Sequence, residues 1–174
     1  SSHIPNSYAV FCLKKKKRRL GRIMAMALCT LLPCAHAADV AVPAFDGHLL
    51  GSDVGEWIGR LEYVARDGAR QTILEENILG IVNGASGVFA IGGLAHMSTN
   101  RGAIYRIDRR DDGTLSASVM VTLAGAPSQV RTHLDGTADF LVFEGWLGER
   151  QHFRCYRLAY AAVQPANTCT PPAR

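Results

Sequence analysis

Residues 57–74 read WIGRLEYVARDGARQTIL, and the fold class turns on this stretch. Trp57, Leu61, Tyr63 and Ala65 alternate with Arg60 and Glu62, the two-residue period of a half-buried β-strand. Asp67-Gly68 follows, and glycine readily supplies the positive φ that a tight hairpin turn needs. Gln71–Leu74 then returns as the second strand of a hairpin. The period of an amphipathic helix, three to four residues, is scarce along the chain.

The same grammar continues outward. Ile78–Val82 and Val88–Ile91 are short apolar runs separated by Asn83-Gly84 and Gly87. Gly102–Asp108 alternates and is turned by residues 109–113, RRDDG. Ser116–Leu123 is a longer strand, and Ala138–Phe143 and Phe153–Leu158 complete the set around Gly145 and Gly148. The expectation is an all-β domain of about eight short antiparallel strands, spaced as in a sandwich, barrel or propeller. A repeat runs through it. Residues 59–64 and 102–107 (GRLEYV, GAIYRI) lie 43 apart, each before a glycine-bearing turn and another strand. Residues 87–91 and 139–143 occupy comparable places, and Phe153–Leu158 starts a third hairpin. Propeller blades have periods of about 40–50 residues, so the repeats read as about three partial blades. A closed propeller needs at least four, which leaves an incomplete propeller, closure by self-association, or a compact sandwich or open sheet.

The other end of the chain bears on compartment. Lys14–Arg19 are six consecutive basic residues, followed by Arg22, the apolar run Ile23–Pro33 and the triplet Ala35-His36-Ala37. Cationic start, apolar middle and small-x-small triplet together read as a secretory signal peptide cleaved after Ala37. Eleven residues are too few for a membrane-spanning helix, which needs about 20, so the membrane is met only through the leader during export. The thirteen residues before Lys14 read as lying upstream of the true start. The expected organisation is a leader at 1–37, a linker at 38–50, a β domain at 51–160 and a Pro-rich tail at 161–174. Seven of the nineteen Lys and Arg precede Ala38, leaving twelve, all Arg, against fifteen acids. That mildly acidic remainder argues against a nucleic-acid partner, whose binding rests on clustered cations. Of five cysteines, Cys12, Cys29 and Cys34 fall in the leader. Cys155 and Cys169 remain, an even pair that in an exported chain reads as a disulfide tying the tail back.

Residues 51–57 (GSDVGEW), 77–81 (NILGI), 93–97 (GLAHM) and 125–127 (GAP) resemble segments of uncharacterised exported bacterial proteins with β-propeller-like repeats. The likeness spans roughly residues 51–147 and implies the architecture. It brings no established activity, so the chemistry stays open.

Chemistry-bearing residues are sparse. Asp53 and Glu56 flank Gly55 before Trp57; two loop carboxylates suit Ca²⁺ or acid–base work, and the competing reading is a tight turn with Trp57 as core anchor. His96, with Ser98 and Asn100 beyond it, is placed as a loop base or as a residue bonded within its own loop. Asp108, Asp111, Asp112 and Gly113 do not match a Ca²⁺-loop spacing and read as an exposed turn. His133, Asp135 and His152 lack metal-ligand spacing and read as surface or packing residues. Trp146, between Gly145 and Gly148, reads as an exposed aromatic for a partner or sugar, and the competing and commoner reading is a tryptophan partly buried after its strand. The leading expectation is a non-catalytic binding module of the periplasm or cell exterior, with Asp53, Glu56, Trp57, His96, Asn100 and Trp146 as ligand contacts and no cofactor. Its ligand would be an envelope protein, for instance a toxin or cell-wall hydrolase it inhibits, or a glycan. The alternatives are a metal-assisted hydrolase using Asp53, Glu56 and His96, and a truncated fragment with no independent role.

Overall fold

The computed structural model describes residues 39–169. The expected leader and its expected cleavage point at Ala37, like residues 170–174, lie outside them. Twelve strands make up three four-stranded antiparallel sheets, and no helix occurs among the described residues. Sheet 1 holds β1 (Val40–Ala44), β2 (Gly47–Gly51), β3 (Leu61–Ala65) and β4 (Arg70–Leu74). Sheet 2 holds β5 (Ile78–Gly84), β6 (Gly87–His96), β7 (Thr99–Arg109) and β8 (Leu115–Leu123). Sheet 3 holds β9 (Pro127–Thr132), β10 (Ala138–Leu147), β11 (Arg150–Ala159) and β12 (Ala162–Pro165). Each is a meander in which sequential strands pair, and none closes on itself.

Several expectations change. Residues 38–50, expected as a linker, carry β1 and most of β2, because Leu49 is fully buried and needs a sheet around it. The tail contributes β12 at its start. The strand expected from Trp57 begins only at Leu61, and Trp57 is 74 % exposed rather than a core anchor. The three hairpin starts singled out by their spacing become β3, β7 and β11, the third strand of each sheet, and residues 87–91 and 139–143 lie in the two second strands β6 and β10.

Packing explains the difference between alternating and continuous apolar runs. Successive strand side chains point to opposite faces. In β6, Val88 and Ala90 pack with Leu49, Leu61 and Tyr63 of sheet 1. Phe89 and Ile91 pack with Ala138, Phe140, Val142 and Leu158 of sheet 3. A strand buried on both faces needs apolar residues at every position, so Val88–Ile91 reads as an unbroken run and sheet 2 lies between the other two. β3 has one buried face and therefore alternates.

Sheet 3 carries a polar group on its far face. Asp139 is 2 % exposed and accepts from Arg157 Nε at 2.7 Å and Nη2 at 2.8 Å, with His133 Nε2 at 3.0 Å. His133, read from sequence as isolated, is thus a partner of a buried carboxylate across the β9–β10 turn. The Arg157 bonds, and then His133, hold the Asp139 carboxyl below its usual range against the opposing effect of burial. A depressed folded-state pKa contributes stability above the unfolded value, near 4, and loses it as pH falls through the folded value. Asp139→Asn is expected to cost about 2 kcal/mol at neutral pH, less than a fully buried pair because Arg157 is half in solvent. In urea titrations the gap to wild type should close as pH drops below about 4; a gap independent of pH would refute the assignment.

Candidate binding surface

Strand direction alternates along each meander, so the connections 52–60, 75–77, 97–98, 124–126 and 148–149 emerge from one end of the three sheets. Asp53, Glu56, Trp57, His96, Asn100 and Trp146 all lie at that end. The topology gathers residues that are up to 93 positions apart in sequence.

Loop 52–60 has no ladder of its own beyond one Val54–Trp57 bridge. A side chain holds it instead. Asn77, 2 % exposed, accepts from Val54 N at 3.0 Å and Gly59 N at 2.7 Å and donates to Gly55 O at 2.7 Å. One buried amide thereby satisfies three backbone groups of the loop. A Cβ on Gly59 would collide with Ser52 O and Asn77 Oδ1, so this approach requires glycine. The neighbouring Glu76 is equally buried and pairs with Arg101, while its Oε1 accepts from Asn77 N at 3.1 Å. Tyr105 OH lies 3.5 Å from Glu76 Oε2, and burial, reinforced by that carboxylate, raises the phenol's pKa. The sequence reading missed Glu76-Asn77; the available signal was a polar pair set directly against the apolar run Ile78–Val82.

The expected ligand residues divide sharply in role. Asp53 is used within its own loop, its Oδ1 accepting from Gly55 N at 3.0 Å and its N–H donating to Asp39 Oδ2 at 2.7 Å. Glu56 Oε1 lies 3.7 Å from His96 Nδ1, joining loop 52–60 to the β6–β7 tip. Asn100 is a staple between sheets: its Nδ2 donates to Phe143 O at 2.9 Å and its Oδ1 accepts from Ala126 N at 2.8 Å. Both ends of its amide are occupied, so it positions rather than binds. A Cβ at Gly125 would collide with Phe143 O and the Asn100 amide, so glycine permits the staple. Trp146 is 61 % exposed and packs edge-on against Phe143, centroids 6.0 Å apart, which in turn touches Phe153 at 5.3 Å. Beside it, Glu144 gathers Tyr156 OH at 2.7 Å, His152 Nδ1 at 3.4 Å and Arg154 Nε at 3.4 Å. That bond to Glu144, then burial, raises the Tyr156 pKa.

Three carboxylate or imidazole groups do not converge around Asp53, Glu56 and His96, and no group of three or more His, Cys, Asp or Glu with metal-binding geometry occurs among the described residues. What this end does offer is apolar area. Val54, Trp57, Ile58, Met97, Trp146 and Leu147 all project into solvent there, with Met97 93 % exposed. Val54, Ile58, Met97 and Leu147 escaped the sequence reading, since an exposed aliphatic residue looks like a core residue until the turns are placed.

Comparison with protein-family models, with curated proteins and with solved structures returned no match.

Proposed function

We propose that this chain is an exported, non-catalytic binding module of the cell envelope, and that the loop end is its contact surface. The observation that carries the reading is the projection of six apolar side chains, two of them tryptophans, from one end of a rigid β scaffold. Exposed apolar groups gathered in this way mark contact sites, and loops on a fixed scaffold are suited to recognition. The side chains beneath them are committed to structure: Asn77 holds the loop and Asn100 locks sheet 2 to sheet 3. In this reading the three meanders are blade-like repeats radiating from β1, β5 and β9, supported by the equivalent placement of β3, β7 and β11. Export is supported by the Cys155–Cys169 bridge, which persists in oxidising compartments.

Residues 38–174 with the disulfide intact should co-sediment with sheared cell-envelope fragments. The double variant Trp57→Ala, Trp146→Ala should remain in the supernatant with an unchanged melting temperature. Equal retention of both proteins, or no retention of wild type, would overturn the proposal.

A further inference from the structure

The projecting side chains come from three separate tips, one on each sheet, and the hydrogen bonds between sheets fix their relative heights. Asn100 and Phe143 are bonded at 2.9 Å, so they mark one level in β7 and β10. Asn100 faces Ala95 across the β6–β7 ladder, and Met97 lies two residues tipward of Ala95. Phe143 faces Phe153 and Trp146 faces Gln151, two residues tipward of Phe153, because the bulge between Phe143 and Gly145 takes up one residue. At about 3.3 Å per residue, both stand roughly 7 Å beyond that level. The 3.7 Å approach of Glu56 to His96 brings Trp57 beside the residue that precedes Met97. Three apolar tips from three sheets therefore end at about one height. A pocket accepts one protrusion; three level ones suit a plane.

We propose, resting on the reading of the loop end as the contact surface, that this end docks on a lipid bilayer with Trp57, Met97 and Trp146 entering the interface. The residue types fit. Tryptophan prefers the headgroup level, and aliphatic side chains flanking it are of the kind that reach 5–10 Å into the acyl boundary. The backbone at Met97 supports the same use: its φ of 50° lies in the left-handed region, where glycine or asparagine is favoured. A large apolar residue held at such a tip is presented outward at a conformational cost. Charge defines which bilayer. Asp53, Glu56 and Glu149 share these tips with Arg60, Arg101 and Arg150; Arg101 is already paired with Glu76, and Arg60 lies 3.7 Å from Glu62. With no cationic excess, attraction to anionic headgroups does not drive docking; apolar insertion does.

Trp57 and Trp146 are the only two tryptophans of the chain, so fluorescence reports directly on this end. Phosphatidylcholine vesicles should shift the emission of wild-type residues 38–174 to the blue, equally in low and high salt, and the single variants Trp57→Phe and Trp146→Phe should each retain a shift. Met97→Asp, at a solvent-facing position that leaves folding intact, should weaken vesicle partitioning about tenfold, the equivalent of about 1.4 kcal/mol. Leu134→Asp, on the exposed β9–β10 turn at the opposite end, should not change it. No emission shift with vesicles, equal partitioning of Met97→Asp and wild type, or binding confined to anionic vesicles and abolished by salt would each overturn the proposal. Retention on envelope fragments without vesicle binding would also overturn it, assigning the surface to a protein or glycan and leaving the contact-surface reading intact. Loss of both would remove that reading as well.

Discussion

Phe89→Ala is expected to lower the free energy of unfolding by about 4 kcal/mol, the middle of the range for deleting a buried aromatic. Phe89 is 1 % exposed and lies in β6, between sheets 2 and 3, against Ile91, Ile104, Ala138 and Phe140. Its strand is hydrogen-bonded to β5 on one side and β7 on the other, so the backbone cannot move in to fill the space. The cavity term therefore adds to the lost transfer energy, since interiors are close-packed. Val119→Ala in the outer strand β8, where the side chain is exposed, is the matched control and should change stability by less than about 0.5 kcal/mol. Urea titration with an unchanged slope measures both. A loss below about 1.5 kcal/mol for Phe89→Ala, in the range of a tolerated core swap, would mean that sheet 3 does not pack on sheet 2.

Reducing the Cys155–Cys169 bridge should cost about 3 kcal/mol and acts on the other side of the equilibrium. The bridge joins β11 to the segment beyond β12, with Cα atoms 5.5 Å apart, and carries the tail across to β10, where Cys169 Sγ lies 3.2 Å from Phe140 O. Fifteen residues are closed into a loop, and on the chain-entropy account the unfolded state loses about that much freedom. The folded contacts change little, so the core should be preserved while the melting temperature falls by about 10 °C. The double variant Cys155→Ser, Cys169→Ser should match the reduced wild type. A melting temperature indifferent to reductant would show that the two thiols are not joined.

The legible part of this fold was local. Alternation at 57–65 and glycine turns announced strands and hairpins, and the 43-residue spacing of residues 59–64 and 102–107 pointed to strands that do hold equivalent places in their sheets. What stayed hidden was non-local. β1 and β2 looked like a linker because five-residue strands with Pro43 and Gly47 show little period of their own; their burial comes from Ile78, Ile81 and Val88 in the next sheet. Trp57 looked like core because a tryptophan near a strand usually packs, and only the Asn77 amide, twenty residues on, fixes the loop that turns it outward. Asn100 looked like a ligand contact because its partners, Phe143 O in β10 and Ala126 N in the β8–β9 connection, lie far along the chain.

Sequence alone determined the class of structure and pointed to the pairing of Cys155 with Cys169, since side-chain period and turn residues are properties of short stretches and the pairing followed from an expected leader that would carry the other three cysteines. Tertiary structure decided which apolar residues are buried and which project, because that depends on which sheet faces another. The three tips are brought together only through contacts between segments far apart in the chain, Asn100 with Phe143 and Glu56 with His96. Short-range propensity is written in neighbouring residues, whereas exposure is a property of the whole packed stack.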